Sequence, residues 1–200
     1  MIGVVREGGV LLLTLRRPDK ANALNRAMLS ALLVALEDPP QVLILTGEGR
    51  VFSAGADLEE ARAGLATDAI WDAVSNRIAS LPGLTIAALN GTLAGGAMGM
   101  ALACDLRLAV PGATFFYPVM RLGYLPQPAD PARLVALVGP ARAKLILLAG
   151  AKIEADEALA WGLIDRIVAA EDLLTTARTL GMDVLAAKPG HATAIKRLIG

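Results

Sequence analysis

The 200-residue sequence is short of the residues from which metal and nucleophile sites are usually built, with one cysteine, Cys104, and one histidine, His191. A single cysteine forbids an internal disulfide, and without further Cys or His there is no metal-binding cluster of that type. One histidine, close to the C-terminal end of the sequence, also fits a Ser-His-Asp triad poorly. Charge of either sign is not in excess, since Lys plus Arg and Asp plus Glu both number 19. Neither nucleic acid nor an anionic membrane surface is therefore expected as a partner. The opening MIGVVREGGVLLLTLRRPDK carries Glu7 and paired glycines before its apolar part, which is not the order of a signal peptide, so a cytoplasmic setting is expected. Ile78 to Cys104 holds no charge and two overlapping small-xxx-small patterns, but Pro82-Gly83 and Asn90-Gly91 are turn signals that cut it into lengths suited to soluble elements. No membrane span is expected.

What is present is a sizeable apolar fraction, 55%, against 19% charged residues, the balance of a compact globular chain. Val10 to Arg17 reads as a strand ending in a Pro-containing turn, and Asn25 then caps the helix RAMLSALLVALE, whose apolar residues recur at three and four. QVLILT is a continuous apolar run, which predicts a strand buried on both faces, followed by the loop GEGRVFSAGAD. Helical segments from about Leu58 to Leu81 lead to the strand LTIAALN, the small-residue helix AMGMALAC and the strand DLRLAV. Gly112 to Pro131 reads as a long ordered loop, of the kind that often carries function. The helices PARLVALV, ARAKLILLA and EADEALAWG, a strand LIDRIV and two more helices complete the chain. Strands alternating with helices predict an α/β fold with mostly parallel strands. One domain over residues 1–200 is expected, with a core to about 168 and C-terminal helices over about 169–200.

The stretch LNGTLAGGAMGMALACD, Leu89 to Asp105, asks most clearly for an explanation. It lacks the Gly-Lys-Ser/Thr of a Walker loop and the G-x-G-x-x-G of a dinucleotide fingerprint. Gly95 and Gly96 at a helix start would instead present unpaired N–H groups and the positive end of the helix dipole to an oxyanion. A second donor segment is needed, and SAGAD, Ser53 to Asp57, also lies between a buried strand and a helix. The alternative is that both are merely tight strand-to-helix connections.

Five blocks, LTLRRPDKANALN, VLILTGEGRVFSAGADL, IAALNGTLAGGAMGMALACDLRLA, ATFFYPVMRLGYLP and LVGPARAKLILLAGAKIEADEALAWGLIDRIV, occur in this order, and with them the chain resembles the crotonase superfamily, the enoyl-CoA hydratase/isomerase family. The resemblance implies a spiral of stacked ββα units and an acyl-coenzyme A thioester as substrate. It assigns the two oxyanion N–H donors to Ala56 and Gly96. It places Lys20, Ala21, Asn22 and Leu24, with Ala54, Asp57 and Leu58, around the coenzyme A moiety. Neither a metal nor a redox cofactor is implied, because coenzyme A enters as part of the substrate. The family also implies a homo-oligomer, a trimer or a hexamer built of trimers, and the match includes the core but only a truncated C-terminal helical region.

Two positions depart from the family pattern. Hydratases of the family carry one glutamate three residues after the glycine donor and another directly after a proline in the later loop; these positions are Gly99 and Val119 here. Neither side chain can transfer a proton. Candidates on the following loop are Asp130 as general base and Tyr124 or Tyr117 as donors, with Gln127 able to touch an acyl group, although Asp130 before Pro131 could simply cap a helix. The expected activity is that of an acyl-CoA lyase or isomerase that stabilises a thioester enolate; the alternative is a non-catalytic acyl-CoA binding protein or assembly subunit.

Overall fold

The computed structural model describes residues 1–199. The chain begins with β1 (Ile2–Glu7), β2 (Val10–Leu15), α1 (Arg26–Ala35), β3 (Val42–Gly47), β4 (Val51–Ser53), α2 (Leu58–Arg62) and α3 (Ile70–Ala79). It continues through β5 (Leu84–Leu89), β6 (Thr92–Ala94), α4 (Met98–Leu102), β7 (Leu106–Ala109), β8 (Thr114–Phe116), α5 (Val119–Leu122) and α6 (Asp130–Leu147). The remaining elements are β9 (Ile153–Glu154), α7 (Ala155–Trp161), β10 (Arg166–Ile167), α8 (Leu173–Leu180), α9 (Met182–Ala186) and α10 (His191–Ile199).

The strands form two sheets, ordered β1-β2-β3-β5-β7-β10 and β4-β6-β8-β9. Within them β2, β3, β5, β7 and β10 run parallel, as do β4, β6 and β8; only β1 against β2 and β8 against β9 are antiparallel. Three times the chain crosses from the large sheet to the small one within a few residues, from β3 to β4, β5 to β6 and β7 to β8, and each crossing leads into a helix. This is the stacked ββα arrangement that the resemblance implies.

Local chemistry accounts for most of the elements. The first five residues of β3 are buried, as a strand with parallel neighbours on both sides requires. Asn25 caps α1 by accepting the Met28 N–H at 2.9 Å, and Asp57 caps α2 through the N–H groups of Glu59 and Glu60. All five residues of α4 are buried, so this short helix belongs to the core rather than to its surface. The sequence pattern did not reveal β1, which pairs with β2 across the Gly8-Gly9 turn. The helices expected separately at PARLVALV and ARAKLILLA form one element, α6, broken at Gly139, where φ is 79° and ψ 165°, ahead of Pro140. The expected long loop over Gly112 to Pro131 contains β8 and α5.

One buried side chain joins the two halves of the first repeat. Asn22 is fully buried with φ +53°, and its Oδ1 accepts the Arg17 N–H at 2.8 Å while its Nδ2 donates to the Glu48 and Val51 carbonyls at 2.9 and 2.7 Å. Its backbone carbonyl accepts the Ser53 hydroxyl at 2.8 Å. The loop before α1 is thereby bound to the turn between β3 and β4. An alanine at this position would strand the Arg17 N–H and the Glu48 carbonyl, each costing about 1–3 kcal/mol when left unpaired in the interior, while the Val51 carbonyl keeps the Asn90 Nδ2 as a donor at 3.3 Å. Asn22→Ala is therefore expected to lower the urea midpoint by about 1 M or more, at a slope of about 2 kcal/mol/M. Equilibrium denaturation followed by circular dichroism checks this, and an unchanged midpoint would show that the loop is held by other contacts.

Candidate active site

The parallel pairing of β4, β6 and β8 sets their C-terminal ends side by side, through Ser53 opposite Leu93 and Ala94 opposite Phe116. The segments leaving these ends begin at Ala54, Gly95 and Tyr117, and open α/β sheets bind ligands at this end of their strands. The first two segments touch through backbone. A Cβ on Gly55 would lie 2.9 Å from the Ala94 carbonyl oxygen and 3.4 Å from the Gly95 Cα, so no larger residue fits. Gly55 and Gly95 also hold φ values of +96° and +56°, the left-handed region that glycine enters at little cost.

Two N–H groups stand next to this contact, those of Ala56 and Gly96. The Leu24 N–H donates to the Gly55 carbonyl at 2.7 Å and the Asp57 N–H to the Leu24 carbonyl at 2.8 Å, a parallel bridge that passes over the Ala56 N–H. Gly96 lies within the first turn of the helical segment Gly95–Leu102, where N–H groups have no intrahelical acceptor. The Trp71 ring covers its other side, 3.3 Å from where a Gly96 Cβ would stand. Donors from two separate backbone segments beside one helix start can hold a developing oxyanion.

Both segments line a cavity of about 300 Å³, with Ala54, Ala56, Gly95 and Gly96 on one side and Tyr117, Val119, Tyr124 and Gln127 on another. Arg62 reaches its edge, and no carboxylate lines it among the described residues. A larger hollow of about 570 Å³ beside Asp105 and Lys196 receives none of the converging segments, and those two residues already pair with each other at 2.9 Å.

Behind the cavity wall lies Asp130, at 1% exposure. The alternative reading of Asp130 as a helix cap is not what is found, because the first residue of α6 is Asp130 itself and no side chain caps that helix. Instead its Oδ2 accepts the Tyr117 hydroxyl at 2.9 Å, and its Oδ1 has no hydrogen-bond partner among the described residues. Burial pushes the carboxyl up to about 6, against the opposing pull of the Tyr117 hydroxyl and the Arg133 charge, with Asp72 adding a small upward push. The Tyr117 hydroxyl is raised well above its ordinary value, first by burial and then by the Asp130 charge. The Gln127 N–H donates to the same Tyr117 oxygen at 3.2 Å, while the Gln127 side chain is spent on the Ala66 carbonyl at 3.0 Å.

The residues expected around coenzyme A form one strip. The Ala54 N–H donates to the Ala21 carbonyl at 2.9 Å, so Lys20–Leu24 runs alongside Ala54–Asp57. Lys20, Ala54 and Leu58 are exposed, whereas the side chains of Asn22 and Leu24 are fully buried, leaving only their backbone for a ligand. Asp57 pairs with Arg17 at 2.7 Å, and this contact, with the N–H groups at the start of α2, holds its carboxyl below the ordinary range. His191 is exposed at the start of α10, and the Cys104 thiol, buried, is pushed up to about 12. Trp71, Ala61, Ala66 and Leu125 also line the cavity, and sequence reasoning did not find them. They carry no reactive group, and only the presence of a tryptophan in a chain with two could have drawn attention.

The model of the enoyl-CoA hydratase/isomerase family matches residues 5–199. A 4-chlorobenzoyl coenzyme A dehalogenase from Arthrobacter is 35% identical over 204 residues, covering 95% of this chain and 74% of the relative. A carnitinyl-CoA dehydratase from Salmonella paratyphi A is 36% identical, covering 98% and 78%. A probable enoyl-CoA hydratase from Mycobacterium tuberculosis is 37% identical, covering 88% and 71%. Among solved structures, an enoyl-CoA hydratase from Bacillus anthracis superposes with a TM-score of 0.91 at 32% identity, over 99% of this chain and 81% of that one. With sequence, topology and superposition in agreement, the chain belongs to the enoyl-CoA hydratase/isomerase family and has the crotonase fold.

Proposed function

We propose that this protein binds an acyl-coenzyme A thioester, seats the thioester oxygen between the Ala56 and Gly96 N–H groups, and stabilises the enolate formed from it. The reading is supported by the backbone contact of Gly55 with Gly95 and by the presence of Ala56 and Gly96 in the lining of one cavity. Coenzyme A thioesters are named in the relatives whose chemistry is dehalogenation, dehydration or hydration, so the ligand class is common while the reaction varies. Lyase or isomerase chemistry through an enolate fits this site better than efficient addition of water. A hydratase needs an acid and a base on the acyl group, and Gly99 and Val119 supply neither.

The strip of Lys20, Ala21, Asn22, Leu24, Ala54, Asp57 and Leu58 is proposed to receive the coenzyme A moiety, with Asn22 and Leu24 acting through backbone. Coenzyme A belongs to the substrate, and the proposal includes neither a metal nor a redox cofactor. A homo-oligomer is proposed because Leu125, Met120 and Leu148 are 84%, 60% and 60% exposed, much apolar surface for one chain to leave in water. A cytoplasmic setting is in keeping with the single, buried thiol. The absence of a carboxylate from the cavity lining favours one second reading, a protein that binds acyl-CoA without converting it.

Calorimetric titration with coenzyme A, acetyl-CoA and crotonyl-CoA, followed by mass analysis of each mixture, tests both readings. Binding with a changed acyl product supports the enzyme, and binding of the thioesters without conversion supports the second reading. No binding overturns both. The oxyanion assignment has its own readout in the infrared stretch of the thioester carbonyl, which is expected to fall on binding as the two N–H groups polarise it. Gly96→Pro removes one donor near a helix start, with its ring pressed on Trp71, and in a variant shown to fold is expected to abolish most of this fall and to reduce any turnover by about 100- to 1,000-fold. A folded variant with the wild-type stretch would remove Gly96 from the assignment.

A further inference from the structure

The space beside Gly99 is occupied by a carboxyl from elsewhere in the chain. A Cβ built on Gly99 would lie 2.6 Å from the Asp130 Oδ1 and 3.1 Å from its Oδ2, so a side chain there would force the carboxyl to move. Gly99 stands three residues beyond Gly96, one turn further along the same helical segment. The glycine and the aspartate are therefore one feature: the missing side chain of α4 makes the notch that the first residue of α6 fills. Asp130 is 1% exposed, its Oδ1 is unpartnered and directed at this notch, and its Oδ2 holds the hydroxyl of a tyrosine that forms part of the cavity wall.

We propose that Asp130 is the proton store of this site, working through the Tyr117 hydroxyl on coenzyme A thioesters that carry an α-hydrogen. The inference rests on the reading of the cavity as a thioester site. Tyr117 is the group that meets the acyl chain, and Asp130 is a positioning residue behind it. The phenol oxygen donates its proton to Asp130 and accepts one from the Gln127 N–H, which leaves one lone pair for a third contact. As the α-carbon releases its proton to that lone pair, the Tyr117 proton passes to Asp130 Oδ2. The electron pair of the broken C–H bond moves into the thioester, whose oxygen becomes the enolate oxygen between the Ala56 and Gly96 N–H groups. Reversing both transfers returns a proton to carbon, and deuterium enters when the Tyr117 hydroxyl exchanges its proton with water in the cavity before that return, so the exchange balances with water as the only other reactant. A thioester without an α-hydrogen, such as a benzoyl one, is outside this class.

Charged and titratable groups facing Asp130 are Tyr117 before α5, Arg133 on its own helix and Asp72 on α3. Only the ionised carboxyl can take up the proton. Exchange is therefore expected to be lost as pH falls below about 6, the value to which burial raises Asp130. The effect on stability has the opposite sense. A carboxyl raised in the folded state favours folding most below its ordinary value of 3.8, and that contribution is lost as pH rises through about 6. Asp130→Asn is thus expected to fold, with an unfolding midpoint above that of the wild type at pH 8 and with that advantage gone at pH 4.

The test is α-proton exchange of butanoyl-CoA in deuterated buffer, followed by mass gain of the recovered thioester. It requires no knowledge of the natural reaction. The wild type is expected to introduce deuterium with a rate that rises between pH 5 and pH 7. Asp130→Asn and Tyr117→Phe are expected to lose at least about 100-fold of this rate while keeping thioester binding and the carbonyl shift. Gly99→Ala, whose methyl group meets Oδ1, is expected to lose at least about tenfold with binding retained. Wild-type exchange rates in a folded Asp130→Asn variant would overturn the proposal, as would a wild-type protein that binds and polarises the thioester but exchanges nothing. Failure to bind butanoyl-CoA at all would overturn the thioester reading and this inference with it.

Discussion

The arrangement depends on one constraint, the parallel pairing of β4 with β6 at a separation where their following loops must cross backbone to backbone. Parallel strands place like ends together, so each repeat delivers its loop to the same edge. At that edge Gly55 and Gly95 meet with 3.4 Å between a hypothetical Cβ and the neighbouring Cα, and any side chain at Gly55 would also strike the Ala94 carbonyl. The consequences extend outward from this contact. Ala56 and Gly96, the next residues, have N–H groups not consumed by the sheet; Trp71 closes one side; and β8, paired to β6, brings Tyr117 to the third side. Glycine at these two positions is a condition for the site, not a sign of flexibility.

Two buried polar side chains near the site illustrate how the fold divides its interior between structure and chemistry. Asn22 makes three side-chain hydrogen bonds to three backbone groups, which leaves nothing for a ligand and fixes the loops around it. Asp130 is as deeply buried but has one oxygen paired and one free. Buried polar groups are nearly always satisfied, since an unpaired one costs about 1–3 kcal/mol. A fold that can satisfy Asn22 completely and leaves Asp130 half satisfied bears that cost at the place where a proton would have to be held.

Much of the fold was legible because its signals are local. The apolar run at Val42–Thr46, the Asn25 cap and the glycine-broken turns each follow from neighbouring residues, and each appears where its chemistry predicts. β1 escaped because Val4, Val5, Arg6 and Glu7 are exposed on an edge strand and present no buried periodicity. The two donor loops were legible from composition, small residues between a buried strand and a helix. Their juxtaposition was not, because it depends on a pairing between strands some 40 residues apart. The surroundings of Asp130 were hidden for a similar reason. An aspartate before a proline reads locally as a helix cap, but its carboxyl turns to Tyr117 and to the notch of Gly99, 31 residues earlier in the chain, and no spacing rule connects a missing side chain with the residue that replaces it.

That replacement changes the character of the carboxyl as well as its origin. At the start of α6 the helix dipole favours the ionised form, by about 0.3–1 kcal/mol. Yet the group rises from its ordinary 3.8 to about 6, equivalent to about 3 kcal/mol toward the protonated form, so desolvation outweighs both the dipole and the Tyr117 hydroxyl bond. A carboxylate on the cavity wall, wetted by solvent, would stay near its ordinary value and return its proton readily but accept one weakly. Buried behind a tyrosine, the same group lies closer to neutral pH, where it is available in both forms and where a carrier can accept and return a proton at comparable cost. The glycine at 99 is what allows that position, because a Cβ there would stand 2.6 Å from Oδ1 and the carboxyl would have to move.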